Sequence, residues 1–404
     1  MDTRFPPQPK RIKVPLYPQL GKLIPASVLN KNNSLMDLMS QILGMNKDKI
    51  ILANSASDAL YEFLRIVRVD RNKKLLVGMP SFNCIDVAEA VVAAGCTPVF
   101  TDIDKSLMMT EKNIDFMIAQ KCEYFIWPNF FGARHRDRMF AEKLIKNNIK
   151  IILDEAQSFP FYYDEIKPFV DKYAHLVLIS FGHSKPISGV GGGAIFMNQP
   201  NTSFQKMKGY PEESRNEAYF NLVKKVMKQR INWRSPRIAK KLAINPKREK
   251  KLEVLLNQRI GKKKYDPISR YQSQVAYKNL KTINSKKFIQ SYSMRYEKLN
   301  KLLKSKEGSV GLNYLNQVIG EPASIALSLD PNRRYEIFTR FSNQSIETTW
   351  YYYPISLLDK YRKYPCETII NTIGISSSII IIPFRWQHSN RQINRLIDSL
   401  KVIL

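Results

Sequence analysis

Three short segments of this chain carry residue types that could do chemistry together. The first is Ile151-Ile-Leu-Asp-Glu-Ala-Gln157, an apolar run that delivers Asp154 at its end. Ligands of open α/β sheets sit outside the carboxyl ends of such strands. The second is Ser180-Phe-Gly-His-Ser-Lys-Pro-Ile-Ser-Gly-Val-Gly-Gly-Gly-Ala194, a strand end running into a loop with Lys185 and then a glycine cluster. The third is Ser55-Ala-Ser-Asp58, which reads as a helix start. The backbone N–H groups and positive dipole end of a helix start suit a phosphate. A carboxylate, a lysine and a phosphate cradle are the set that pyridoxal phosphate requires. The lysine forms a Schiff base, the carboxylate pairs with the pyridinium nitrogen so that the ring stays an electron sink, and the cradle anchors the phosphate. Taken singly each has a plainer reading: an Asp after a strand is often a helix cap, and a lone loop lysine usually faces solvent.

The elements that must position these residues follow from hydrophobic periodicity. Ile50–Ala53, Leu75–Val77, Pro98–Thr101, Tyr124–Trp127, Ile149–Leu153, Leu176–Ser180 and Gly193–Met197 read as short strands. Between them lie helical patterns: one opened by Ser55–Asp58 with Leu60, Phe63, Leu64 and Val67 on one face, then Ile85–Ala94 ending at Gly95, then Arg138–Asn147. Strands alternating with helices predict a mostly parallel sheet covered on both faces. A long helical pattern spans Ile268–Leu303, and the chain closes with Ile379–Ile382 as a strand and Asn390–Val402 as an amphipathic helix. The expected organisation is an extended arm over residues 1–24, a large cofactor-binding domain over 25–202, a basic segment over 203–266, and a small C-terminal domain over 267–404.

Composition narrows the class. The 404 residues include 44% hydrophobic and 11% aromatic side chains, too many for a disordered chain. Only 16 glycines occur, without a period, which excludes a collagen-like fibre. The four cysteines (Cys84, Cys96, Cys122, Cys366) form no CxxC pair, which argues against a structural metal site and for a reducing compartment. The polar, Pro-rich first residues do not read as a signal peptide, and no apolar run reaches the ~18 residues of a membrane span. The expected location is cytoplasmic.

The motifs together resemble the DegT/StrS-type sugar aminotransferases, pyridoxal-phosphate enzymes of fold type I. Leu76–Asp104 (LVGMPSFNCIDVAEAVVAAGCTPVFTDID) is similar to that family's Pro-Ser turn and its closing AG-x-x-P-V-F-x-D-I-D run. Ile151–Gln157 matches its Asp-x-Ala-Gln signature, and Ser180–Ala194 its lysine loop, with serine five residues before lysine. Ser269–Ala276, Trp350–Pro354 and Ile379–Trp386 resemble its glutamine helix and C-terminal strand segments. The resemblance implies a large α/β domain with a mixed seven-stranded sheet, a smaller C-terminal α/β domain, and a homodimer with the active site at the subunit interface. It implies that Lys185 is the Schiff-base lysine and proton shuttle, and that Asp154 pairs with the pyridine nitrogen. Gln157 would hydrogen-bond the phenolate oxygen, while Ser180 and the Ser57–Asp58 helix start would hold the phosphate. Gly191–Gly193 reads as a turn allowing close backbone packing. The implied reaction is amino transfer, from glutamate to a keto-sugar, in polysaccharide or glycan biosynthesis.

Three positions depart from the family pattern. Where an aromatic residue usually stacks on the pyridine ring, four residues after the motif proline, this chain has Cys84. Asp58 puts a carboxylate beside the expected phosphate, where like charges repel unless it caps the helix. The family's Asn-Tyr-Arg-Met run is replaced by Tyr265-Asp-Pro-Ile268. These departures point to a divergent branch. They leave open a non-sugar or lipid-linked keto substrate, and a degenerate member acting as a membrane-surface binding protein.

The net charge of +29, from 64 Lys+Arg against 35 Asp+Glu, needs its own account. Residues 203–264 hold 19 Lys/Arg and 5 Asp/Glu, about half of the excess. Such a stretch can be a solvated face, a field that attracts a nucleotide-sugar diphosphate, or a basic amphipathic contact with an anionic membrane through residues 219–242. The last would place the protein at the inner face of the membrane. No helix-turn-helix, zinc-finger or RNP-type pattern accompanies the charge, so specific nucleic-acid binding is not expected.

Overall fold

The computed structural model describes residues 34–132, 137–159, 163–182, 185–188, 190–207, 266–284, 286–306, 313–314, 324–350, 352–382, 384–386 and 388–404. The arm over 1–24 and the basic amphipathic stretch 219–242 lie outside the described residues.

Seven short strands build the large sheet: β1 (Ile50–Ala53), β2 (Leu76–Pro80), β3 (Thr97–Thr101), β4 (Tyr124–Pro128), β5 (Lys150–Asp154), β6 (Ala174–Ser180) and β7 (Gly193–Phe196). Their order is β1-β7-β6-β5-β4-β2-β3. Strands β2 to β6 pair in parallel, and β7 runs antiparallel to both β6 and β1. The mixed seven-stranded sheet expected from the sequence is therefore present. Helix α1 (Leu35–Leu43) precedes it; α2 (Ala56–Arg71), α3 (Ile85–Ala93), α4 (Glu111–Ala119), α5 (Arg138–Lys146) and α6 (Tyr163–Tyr173) connect its strands, and α7 (Thr202–Lys206) follows.

Strands buried on both faces alternate which core they feed. Along β5, Ile151 and Leu153 pack with Leu43 of α1, Met117 of α4, Leu144 of α5 and Val170 of α6. Ile152 points the other way, into the layer made by Leu60, Phe63 and Leu64 of α2 and Val91 of α3. Ile152 is fully buried, so truncating it to alanine costs about 2–5 kcal/mol. That packing holds the strand end, and hence Asp154, in place.

The helical pattern over Ile268–Leu303 resolves into two helices, α8 (Arg270–Ile283) and α9 (Lys286–Ser305). Ser269 and Gln272 form a capping box that starts α8, and Asn284 ends it. Asparagine competes locally for backbone hydrogen bonds, which favours a break there over a continued helix. The C-terminal region has a three-stranded antiparallel sheet of order β10-β9-β8, from β8 (Asn313–Tyr314), β9 (Ile325–Ser328) and β10 (Ile379–Ile382). Helices α10 (Pro331–Asn343), α11 (Ile370–Ser378) and α12 (Asn390–Ile403) pack with it. Asp102, just past β3, ties this region to the large sheet: its carboxylate accepts from Asn371 N–H at 3.0 Å and Thr372 N–H at 2.8 Å. Among the described residues no helix is long and apolar enough to cross a membrane.

Candidate active site

The carboxyl ends of β1, β2, β5 and β6 gather most of the residues singled out by the sequence. Asp154 is the last residue of β5, set in register between Pro128 of β4 and Leu178 of β6. Its Oδ1 accepts the Ala156 N–H at 3.0 Å. Burial pushes the Asp154 carboxyl up, and Lys185, then the Ala156 N–H, pull it back. Asp154 and Lys185 are therefore electrostatic neighbours, although one ends β5 and the other follows β6.

Lys185 follows the end of β6, in a turn where its N–H donates to Gly182 O at 2.9 Å. Gly182 lies beside both residues, since a Cβ there would make ordinary contact, at 3.4 Å, with Lys185 Cγ and Ser180 Oγ. Ser180 closes β6, and its Oγ accepts the Gly182 N–H at 3.3 Å.

Ser55, rather than Ser57 or Asp58, is the N-cap of α2: its Oγ accepts the Asp58 N–H at 3.0 Å and lies 3.1 Å from Ser57 Oγ. Asp58 thus sits at the third position of the helix, with its backbone N–H used by the cap. The glycine cluster joins this helix start to the lysine loop. Gly192 N–H donates to Asn54 O at 2.7 Å, and Phe181 N–H donates to Gly192 O at 2.9 Å. Gly191 (φ +141°) and Gly192 (φ +92°) occupy backbone conformations that side chains rarely adopt. A Cβ on Gly193 would overlap the backbone nitrogen of Ala56. The run is glycine because β7 must enter the sheet directly against the first turn of α2.

Cys84 is the N-cap residue of α3, half-buried just beyond β2. Burial and Asp86 push its thiol up, Lys185 pulls it down, and Asp154 raises it again. The thiol is therefore near enough to feel the charges of both Lys185 and Asp154.

Gln157 is held by the protein at both ends of its amide. Its Oε1 accepts the Phe131 N–H at 2.7 Å, and its Nε2 donates to the Tyr352 hydroxyl at 2.5 Å. Phe131 has φ 55°, a left-handed conformation that costs a non-glycine residue roughly 1–2 kcal/mol. The Tyr352 ring packs edge-on against Phe82 at 5.4 Å and near Phe130 at 6.4 Å. Sequence reasoning marked Trp350–Pro354 only as a strand segment and missed that Tyr352 reaches the Asp-x-Ala-Gln signature. The segment that replaces the family's Asn-Tyr-Arg-Met run also lands here. Asp266 O accepts the Asn54 N–H at 2.9 Å, Ile268 packs against Gly192, and Gln272 Nε2 donates to Asn54 Oδ1 at 3.1 Å.

Comparison with known proteins agrees with this geometry. The model of the DegT/DnrJ/EryC1/StrS aminotransferase family matches residues 31–401. A UDP-N-acetyl-3-dehydro-alpha-D-glucosamine 3-aminotransferase from Acidithiobacillus ferrooxidans is 25% identical over 170 residues, which is 42% of this chain and 45% of that protein. A histidinol-phosphate aminotransferase from Clostridium novyi is 29% identical over 136 residues, 33% of this chain and 37% of that protein. The matched segments thus span less than half the length of these curated relatives. In fold, the chain is similar to the Helicobacter pylori aminotransferase PseC, described as involved in the biosynthesis of pseudoaminic acid. That likeness has a TM-score of 0.68 and 14% identity, and covers 97% of each chain.

Proposed function

The chain belongs to the DegT/DnrJ/EryC1/StrS aminotransferase family, and on that premise we propose that it is a pyridoxal-phosphate-dependent aminotransferase that moves an amino group, from glutamate, to a keto-sugar carried by a nucleotide. The observation that carries the reading is Asp154. It is a strand-end carboxylate whose charge is disfavoured by burial and only partly restored by Lys185. A buried carboxylate short of positive charge suits a ring nitrogen that must stay protonated. The surrounding donors fit the rest of the cofactor. The α2 start with Ser55 and Ser57 and the Ser180 hydroxyl offer a phosphate cradle, and the Gly193 contact closes that cradle from behind.

When bound, pyridoxal phosphate supplies an electron sink that stabilises negative charge on the substrate carbon losing its proton. The protein's share is positional. Asp154 holds a proton on the ring nitrogen by its negative charge, and Lys185 Nζ holds the cofactor and carries a proton on and off the reacting carbon. Ser57, Asp58 and Ser180 form the polar rim at the phosphate end, and Cys84 sits near both charged groups. Gln157, braced by Phe131 and Tyr352, presents its amide to the ring oxygen. The protein is proposed to work as a cytoplasmic homodimer, and residues 219–242 to supply the attraction to an anionic surface. Reversing charge across Lys224–Arg234 would then abolish liposome binding.

The sugar substrate class is supported by the first curated relative, and a phosphorylated non-sugar substrate by the second. The deciding experiment is the visible absorption spectrum of purified protein with pyridoxal phosphate, before and after glutamate. UDP-N-acetyl-3-dehydro-α-D-glucosamine is then added to the glutamate-treated protein, and histidinol phosphate, which is an amine, to a separate sample that has not met glutamate. A band that is absent in Lys185→Ala, bleaches with glutamate and returns with the UDP-sugar supports the proposal. Bleaching by histidinol phosphate, with no response to the UDP-sugar, would replace the substrate class. A spectrum unchanged by Lys185→Ala would remove the lysine assignment.

A further inference from the structure

At the edge of the large sheet opposite Asp154 and Lys185, where β4, β5 and β6 begin and α2, α4, α5 and α6 end, lies a cavity of about 840 Å³. Lysine and arginine side chains outnumber carboxylates in its lining, five to two. Some of that excess has a plain cause, because cations favour helix C-termini. Arg71, in the last turn of α2, and Lys73, just beyond it, each meet Glu123 at 2.8 Å, and Lys172, near the end of α6, meets Glu142 at 3.2 Å.

Lys150 and His175 escape that explanation, since both sit at strand starts. Lys150 opens β5 and has no ion-pair partner among the described residues; its Nζ lies 5.8 Å from the centroid of the Tyr124 ring. His175 is the second residue of β6. Its ring packs near Phe63 and Tyr124, and its buried Nε2 has no hydrogen-bond partner among the described residues. Lys150 and Arg71 repel each other, and together with burial they keep His175 neutral. Burial and then Arg71 push Lys150 down, while burial, then Lys150 and Arg71, push His175 down to about 4. Glu123 is the carboxylate that opposes this, and it is already shared by Arg71 and Lys73. Like charges gathered in a partly buried cavity without enough counter-charge destabilise the free protein and are relieved by an anion.

The cavity is far larger than one phosphate group needs and falls in the range of small-molecule sites. Its walls add Ile118, Ile149 and Met197 to the cations. Apolar wall beside cationic floor matches a phosphate ester with an organic body, the phosphate taking charge-assisted hydrogen bonds. We propose that this cavity is a second ligand site, separate from the one at the other sheet edge, that binds an organic phosphate through Lys150, Arg71 and His175.

The test titrates ADP and orthophosphate calorimetrically into the full chain loaded with pyridoxal phosphate, so that the cradle at α2 is already filled. ADP is expected to bind, and Lys150→Gln and His175→Gln each to weaken it, the lysine change by about tenfold or more, the loss of one charge-assisted contact. Lys150→Gln should also melt no lower than the parent without ADP, because it removes repulsion rather than a stabilising pair. A lysine that was merely structural would lower the melting temperature and leave ADP affinity unchanged. No saturation at millimolar ADP, equal affinity in both variants, or orthophosphate binding as tightly as ADP would each overturn the proposal.

Discussion

His175 should make this protein acid-labile by an amount that can be worked out. Its imidazole is pushed from 6.5 to about 4, first by burial and then by Lys150 and Arg71. Between those two values the unfolded chain takes up a proton that the folded chain refuses, so stability rises with pH across that window and is lost on acidification. At pH 8 both states are neutral and the group contributes nothing. By pH 5 its share of the loss is about 2 kcal/mol, and by pH 4 about 3 kcal/mol, from 1.36 kcal/mol per pKa unit. The assay is urea unfolding of the parent and of His175→Gln at pH 8 and pH 5, followed through tryptophan emission, with Trp127 buried in β4 as a reporter. The variant should lose about 2 kcal/mol less than the parent between the two pH values, with the urea slope unchanged. Parallel losses would refute the reasoning, because they would mean that His175 titrates in the fold as it does in the open chain.

Asp154→Asn should behave oppositely in the two states of the enzyme. Burial raises its folded pKa above the ordinary 3.8, so the folded state keeps a proton that the unfolded state releases, and stability falls as pH climbs through that window. Without cofactor the variant should therefore unfold at higher urea than the parent at neutral pH, with the gap closing as pH falls toward 3.8. With cofactor it should bind but transfer amino groups orders of magnitude more slowly. Gly193→Ala should cost about 1–3 kcal/mol, the usual penalty of overpacking, and weaken pyridoxal-phosphate binding by moving the α2 start; thermal melting and a cofactor titration check both. Tyr352→Phe removes the bond to Gln157 and should lower stability by about 0.5–1.5 kcal/mol while shifting the absorption maximum of bound cofactor; an unchanged maximum would confine Tyr352 to a structural role.

The large sheet was legible because its strands are buried on both faces and read as apolar runs between helical periods. Ile50–Ala53 matches its observed strand end to end, as does Ile379–Ile382 in the C-terminal sheet. Ends were harder. β2 and β4 continue to Pro80 and Pro128, because the proline is the last residue of the strand and ends it without being excluded from it. Helix α4 carries Asn113 buried in its capping box, which blurs its apolar stripe. In the site, Asp154, Lys185 and Ser180 could be placed from local spacing, since each sits at or just after a strand end. Tyr352 could not, because its role depends on a contact across 195 residues with Gln157. Nor could the N-cap of α2, because Ser55 and Ser57 are both good caps and both lie at the helix start.

The two strands that end at Asp154 and Ser180 begin at Lys150 and beside His175, roughly 13 Å away along β5 and 16 Å along β6 at 3.3 Å per residue. At the carboxyl end of β5 burial outweighs the attraction of Lys185 on a carboxylate, and at its start burial and Arg71 outweigh that of Glu123 on a lysine. Both arrangements are unfavourable in the empty protein, and neither is needed to make the sheet, whose cohesion comes from Ile151, Ile152 and Leu153 between them. An apolar or neutral residue at either position would give a more stable chain. At the Asp154 end, the counter-charge would be the protonated ring of the proposed cofactor. The same physical argument applied to the other end requires an anion, so a protein that keeps Lys150 and His175 facing Arg71 should be more stable with a phosphate ester present than without one.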